Sequence, residues 1–464
     1  MTDQELQITE TIDGMPASGV AAVTGAATPK RKAAKIAPNK PDKYIWGVYL
    51  FLLLVSIIEV YSASSTEIKT EDVYEPLWGQ LKMLAIGLVV VYLFQKIHYK
   101  FYRWLAVPAA LICLGLVVYA SNFGVRINEA MRAIQLGSFT LQPAEMMKLA
   151  LVMLLTRIMA RNQEERGVST RGVILSALAV GIMCLSVYRN GFTNMALMMV
   201  VSISMFVIGG TQWKKIGLVI LCYLLFFGIG KLLTEHSSSQ NAFDQVQASQ
   251  QAQPPAGYEG QVMTVNNTGG GIDRSAMRKG RIKMWLAGVH PGDTVTDDNY
   301  QVKHAHYAMA HGRISGRMPG NSRESARLPL AFSDYIFSII VEDTGLIGGL
   351  LLLFVYILLV VRAGVVASRC YRAFPALLIM GCAVMVTVQA LVHMGIVTGV
   401  LPVSGQPLPL ISKGGTSVLV MSAAFGMMLS VSRFAARNTD SKAIKAEARE
   451  LPQELHSENP LHLP

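Results

Sequence analysis

The residues best able to do chemistry in this chain stand beside its most apolar segments. LPLAFSDYIFSIIVEDTGL, residues 328–346, opens a long apolar run with Asp334 at its entrance and Glu342 and Asp343 further in. A carboxylate near a bilayer is costly and marks a functional site or a partner; Asp334 is also placed to cap the helix that follows it. LQPAEMMKLALVML, residues 141–154, opens a helix at Gln142-Pro143, where the missing N–H of proline does no harm. Glu145 falls in the first turn, near the positive helix end, and Lys148 lies three residues on, within pairing reach. Either the two form a local ion pair, or Lys148 and Arg132 face a polar cavity and bind a phosphate-bearing ligand. LPVSGQPLPLISKGGTSVLV, residues 401–420, mixes prolines and glycines with apolar residues. Such backbone either lines a cavity or forms a re-entrant structural loop. Ser412, Lys413, Thr416 and Ser417 supply its polar groups. Glu59 is a further acid inside an apolar run, read as bundle-facing structure.

The elements that must position these residues are membrane helices. The chain of 464 residues is 52% hydrophobic and 15% charged, with a mean hydropathy of +0.39, too apolar for an ordinary soluble domain. A span needs about 20 apolar residues. About ten such segments recur, near 44–64, 77–95, 104–121, 144–160, 172–188, 191–209, 214–233, 335–362, 374–400 and 414–433. The expected fold is an all-α integral membrane protein with one large external loop between helices seven and eight. The first apolar run follows some forty polar residues, so it is not a cleaved signal peptide.

Lysines and arginines set the orientation. PKRKAAK, QKIHYKFYR, RIMARNQEERGVSTRG, QWKK, VRAGVVASRCYR and SRFAARNTDSKAIK all fall on one side if the chain crosses ten times. STEIKTEDVYEP and the segment after helix seven fall on the other. Both termini are therefore expected in the cytoplasm. The net charge of +11 reflects this bias and an affinity for anionic lipid headgroups. It does not point to nucleic acid, because the basic residues are divided among short loops. Residues 1–43 and 435–464 are polar tails, 44–434 the membrane domain, and 234–334 its external loop, whose Gln-, Ser- and Gly-rich first half is expected to be mobile. His304, His306 and His311 lie close in sequence, without a matching set of Cys or carboxylate ligands, and no metal site is expected there. The cysteines Cys113, Cys184, Cys222, Cys370 and Cys382 have no metal-ligand spacing and read as packing residues.

Together these stretches resemble the SEDS family, whose members include FtsW, RodA and SpoVE. LQPAEMMKL is similar to that family's QPSE-x-x-K signature, and VYSAS at 60–64 to the end of its first helix. GNSRESARLPLAFSDYIFSIIVEDTGLIGG resembles its GNS…LPE…TDFIF…EE-x-G block, and PVSGQPLPLISKGGTS its PVTGLPLPFISYGGSS loop. Arg281-Ile282 and Tyr300-Gln301 match shorter signatures. The resemblance runs from about 44 to 434 and keeps the motif order. The charged N-terminal tail inclines it towards FtsW.

The resemblance implies a peptidoglycan glycosyltransferase that polymerises lipid II at the outer membrane face during cell division. Asp334 then inherits the role of the family's essential aspartate, as general base. Arg132, Lys148, Arg281 or Lys413 would stabilise the leaving pyrophosphate, and Glu145, Gln301 and Ser412 complete the expected substrate contacts. A divalent cation, Mg or Mn, could share the electrostatic work. The implied partners are a class B penicillin-binding protein, which is a transpeptidase, and other division proteins. A lipid II flippase, an elongation polymerase like RodA, and a non-catalytic division scaffold are the alternatives. The chain departs from the family pattern at Leu330, Phe332, Ala133, His393, Lys413 and Asp343, and RNGFTNMA lacks the acid expected near the start of helix six. These departures touch substrate contacts and leave Asp334 in place.

Overall fold

The computed structural model describes residues 39–64, 75–127, 130–137, 139–164, 167–188, 191–224, 274–288, 294–296, 299–328 and 331–435. Every apolar segment expected to span forms a helix over its described residues. In chain order these are α1 (Lys43–Ser64), α2 (Glu75–Lys96), α3 (Tyr99–Phe123), α4 (Pro143–Arg161), α5 (Thr170–Tyr188), α6 (Phe192–Ile208) and α7 (213–224 as described). Two shorter helices follow, α8 (Arg274–Ala287) and α9 (Tyr300–Gly312), then α10 (Ile336–Ala367), α11 (Ala373–Val397) and α12 (Gly415–Phe434). Among the described residues, seven helices are long and apolar enough to cross a membrane. The others fall short for plain reasons. α4 carries Glu145, Lys148, Arg157 and Arg161; α6 has 17 residues; α7 is described for only part of its expected length. The expected mobile half of the long loop lies outside the described residues.

α12 and α11 form the centre and are buried on nearly all sides. Gly87 of α2 lets that helix approach Ser422 of α12, and Gly426 of α12 packs against Val91 and Phe94 of α2. The outer helices turn apolar side chains outward, such as Leu350, Leu351, Phe354 and Ile357 on α10. An apolar exterior around a polar-seeded interior is what lipid, rather than water, permits.

Two features, small sheets and a helix break, depart from the all-helical expectation. The loop between α3 and α4 folds into an antiparallel meander of β1 (Val125–Ile127), β2 (Ala130–Leu136) and β3 (Phe139–Leu141). Its β2–β3 turn passes through Gly137 at φ +63°, and Ile134 pairs with Leu141. A second small hairpin, β4 (Gln163–Glu164) with β5 (Gly167–Val168), joins α4 to α5. The other feature corrects the expected single helix at 335–362: α10 runs on to Ala367 but is broken at Gly345, φ +73°. The loop after α9 fills the break. Arg317 N and Met318 N donate to the freed carbonyls of Glu342 (3.0 Å) and Asp343 (2.8 Å), and Leu346 N donates to Arg313 O (3.0 Å). Broken helices at membrane depth need such protein partners.

Candidate active site

Asp334 lies one residue before the α10 cap. Tyr335 occupies the cap position, without a side-chain cap bond. Ser333 Oγ donates to Asp334 Oδ1 at 3.0 Å. The other oxygen, Oδ2, lies against Gly405 so closely that a Cβ there would stand 2.7 Å from it. Glycine is what lets the 402–414 loop pass beneath the carboxylate.

That loop is stitched to the Asp334 segment by the residues the sequence singled out. Ser412 Oγ donates to Ser333 O at 2.7 Å and accepts from Leu408 N at 2.7 Å. Lys413 N donates to Phe332 O at 2.9 Å, and its ammonium rests over the Phe332 ring, 4.6 Å from the centroid. Ser412 is therefore enclosed in the scaffold. Thr416 ties the start of α12 to the meander: its Oγ1 donates to Thr140 O (2.8 Å) and accepts from Gln142 N (3.1 Å). The first turn of α4, with Glu145, is thereby held opposite Asp334.

Between these elements opens a cavity of about 440 Å³, walled by Asp334, Glu145, Asn194, Gln406, Lys413 and Thr416 among others. Lys413 is the one cation among the described residues that line it. Lys148 is turned into the bundle instead. Its ammonium donates to Glu145 Oε1 at 2.8 Å and to Gln389 Oε1 of α11 at 2.6 Å, with both members of the ion pair 2% exposed. Of the two roles open to Lys148, the geometry is that of the ion pair, with Glu145 the member that reaches the cavity wall.

The remaining expected residues lie around the rim. Gln301 of α9 accepts from Tyr335 Oη at 3.5 Å. Burial raises the Tyr335 phenol above its ordinary value, the charge of Asp334 adds to this, and Arg281 opposes it. Arg281, exposed on α8, is thus electrostatically coupled to the residue after Asp334. α8 is pinned there by Trp285 Nε1, which donates to Gly399 O at 3.0 Å, just past the end of α11. Arg132 sits on β2, and its side chain lies outside the described residues.

Sequence reasoning missed several members of the site. Gln389 was detectable as a polar residue inside an apolar helix. Asn194 stands in the RNGFTNMA stretch, where the resemblance implies an acid. Among the described residues, Glu145 Oε2, Asn194 Oδ1 and Gln406 Oε1 have no hydrogen-bond partner. Gly405 gives no signal beyond its place in a proline-rich loop.

Beneath the site the acids form a second layer. Glu342 accepts from Ser322 Oγ, from Arg323 N (2.9 Å) and from Glu324 N (3.4 Å). Asp343 accepts from Ser62 Oγ of α1, which itself accepts from Gly320 N at 2.8 Å. Glu324 pairs with His304 at 2.5 Å and approaches His311 at 3.7 Å. Both histidines thus share the Glu324 carboxylate as a neighbour. Still, no three His, Cys, Asp or Glu side chains among the described residues come together as metal ligands.

A half-buried carboxylate and an ammonium on the wall of one polar cavity suit a reaction that removes a proton while an anion leaves. Comparison with known proteins bears on which reaction. The family model FTSW_RODA_SPOVE, described as cell cycle protein, matches residues 42–437. Stage V sporulation protein E of Bacillus subtilis is 27% identical over 410 residues, covering 85% of this chain and 98% of that protein. Peptidoglycan glycosyltransferase MrdB of Escherichia coli K12 is 26% identical over 386 residues, covering 83% of this chain and 91% of that one. Among solved structures, a chain of a peptidoglycan synthase complex, solved for the coordination of polymerization and crosslinking, superimposes with a TM-score of 0.60 at 20% identity. That match covers 84% of this chain and 97% of the other, and it shows a shared fold.

Proposed function

We propose, from the premise that this chain belongs to the FtsW, RodA and SpoVE family of cell cycle proteins, that it is a peptidoglycan glycosyltransferase polymerising lipid II. The name of its relative MrdB supports the activity. The observation that carries the chemistry is Asp334 on the wall of the 440 Å³ cavity, opposite Glu145 and beside Lys413.

In this reading the acceptor sugar's 4-hydroxyl attacks the anomeric carbon of the donor. A sugar hydroxyl is a weak nucleophile, and Asp334 takes its proton as the new C–O bond forms; such a base is worth about 10²–10⁴ in rate. The bond to the lipid diphosphate breaks, and the departing group carries the negative charge. Lys413, on the same wall, stabilises that charge, with Arg281 at the rim. Glu145 is held in register by Lys148 and Gln389 and is an acceptor for donor groups of the sugar or peptide.

The active face is assigned to the outer side of the cytoplasmic membrane. The reason is the charge distribution: Lys96, Arg161 and Arg433 close α2, α4 and α12 at the ends away from Asp334. Both termini then lie in the cytoplasm. A transpeptidase of the class B penicillin-binding type is the expected partner, supported by the similar chain in the peptidoglycan synthase complex. The charged N-terminal tail inclines the role towards division. The test is polymerisation of lipid II by the purified chain. Glycan formed by the wild type supports the enzyme reading, and transfer of lipid II across liposomes without glycan formation would favour the flippase.

A further inference from the structure

A second, smaller pocket lies a full span from Asp334, between the start of α1 and the ends of α10 and α12. It encloses about 60 Å³ and is lined by Lys40, Asp42, Arg362, Arg369 and Ser432, with Val366 and Val431 as apolar neighbours. Its walls are built. Asn39 N donates to Arg433 O at 2.9 Å, and Asp42 N donates to Ser432 Oγ at 3.1 Å, so residues 39–42 are strapped onto the end of α12. Arg362 Nε and Nη2 donate to the Asp42 carboxylate, the closer contact at 2.6 Å. The guanidinium also stacks on Tyr44, 4.4 Å from the ring centroid.

The charges in this pocket do not cancel. Asp42 is engaged by Arg362, whereas Lys40 and Arg369 are exposed and have no side-chain partner among the described residues. At about 60 Å³, against about 440 Å³ for the catalytic cavity, the pocket has room for a group of phosphate size. The pocket opens where α10 and α12 leave the apolar layer, the depth at which headgroup phosphates lie. α10 exposes Leu358 and Val361 in the turn before Arg362, apolar surface against which an acyl chain can rest. Basic pockets between membrane helices are the usual seats of anionic headgroups.

We propose that this pocket binds the phosphodiester headgroup of an anionic phospholipid, with Lys40 and Arg369 as its contacts and the Asp42–Arg362 pair as its floor. The site is separate from the catalytic cavity and does not depend on the glycosyltransferase reading.

The test uses the full purified chain in detergent, titrated with phosphatidylglycerol or phosphatidylcholine of the same acyl composition and read by native mass spectrometry. Wild type should retain phosphatidylglycerol in preference to phosphatidylcholine. The double variant Lys40→Ala, Arg369→Ala should bind phosphatidylglycerol roughly 30-fold more weakly, the effect of two juxtamembrane cations. Its lipid-free melting temperature should match wild type, since neither side chain has a partner to lose; if it melts early, the single variant Arg369→Gln carries the comparison. Inorganic phosphate at the same concentration should not displace the lipid. Equal phosphatidylglycerol retention by variant and wild type, equal retention of the two lipids, or full displacement by inorganic phosphate would each overturn the assignment.

Discussion

Gly405→Ala makes the contact between the 402–414 loop and Asp334 measurable. The added Cβ would stand 2.7 Å from Asp334 Oδ2 and 3.4 Å from its Cγ, against an ordinary carbon–oxygen contact of about 3.3 Å or more. Something must move by about half an ångström. The loop resists, being tied by Ser412 to Ser333 O and by Lys413 N to Phe332 O. The carboxylate is the end of a short, half-buried side chain, so it turns. Leaving its rotamer costs about 0.5–1.5 kcal/mol, and the lower unfolded-state entropy of alanine returns about 0.4–1 kcal/mol. Stability should therefore change by no more than about 1 kcal/mol. Activity should fall far more, because a misplacement of about 1 Å in a reacting group costs about 10²-fold, or about 2.7 kcal/mol of barrier. The assay is kcat/KM for lipid II polymerisation beside thermal melting in detergent. In a cycle with Asp334→Asn, the double variant should be no worse than Asp334→Asn alone, since both changes act through one carboxylate. Near-normal turnover by Gly405→Ala, or losses that add in the double variant, would refute the reasoning.

Three further outcomes follow from buried or strained positions. Lys148→Met should cost about 3–5 kcal/mol of stability, because it strands Glu145 in a site where the pair is 2% exposed; Glu145→Leu with Lys148→Met should restore melting while leaving lipid II polymerisation impaired. Gly345→Ala should destabilise by more than about 2 kcal/mol, since the new Cβ would meet Ile314 O at 2.2 Å with φ fixed at +73°; thermal melting in detergent checks this. Partial burial pushes the Asp42 carboxyl up, but Arg362 and the backbone N–H groups of Ile45 and Tyr44 outweigh it and hold the group below its ordinary value of 3.8. A depressed carboxylate contributes stability that is present above that value and lost as pH falls through the folded one, so the melting gap between wild type and Asp42→Asn should be full at neutral pH and close progressively below about pH 4.

The helices were legible because each apolar run is long enough to span, and charge at the α2, α4 and α12 ends gave a direction to the bundle. The motif residues were legible by type. Their partners were not, because those pairings close across the chain. Lys148 meets Gln389 over a separation of 241 residues, and Ser62 meets Asp343 over 281. Nothing in the apolar run of α10 announces a break at Gly345; the break is stable only because Arg317 and Met318 supply backbone donors to it. The meander from Val125 to Leu141 was hidden for a similar reason: its strands are three to seven residues long and are held by register rather than by a strong alternating pattern. Asp334 stood out as an acid at the mouth of an apolar run, fit for a base or a cap; its neighbour Gly405 is fixed by the fold alone.

The central claim is that the Asp334 carboxylate is the base of a lipid II polymerase, and the most direct measurement compares wild type and Asp334→Asn for lipid II binding and glycan formation in one preparation. The amide keeps the size and nearly the shape of the carboxylate but cannot accept the hydroxyl proton. The account predicts a folded variant that binds lipid II as wild type does and forms glycan at least about 10²-fold more slowly. Glycan strands produced by Asp334→Asn at close to the wild-type rate would contradict it.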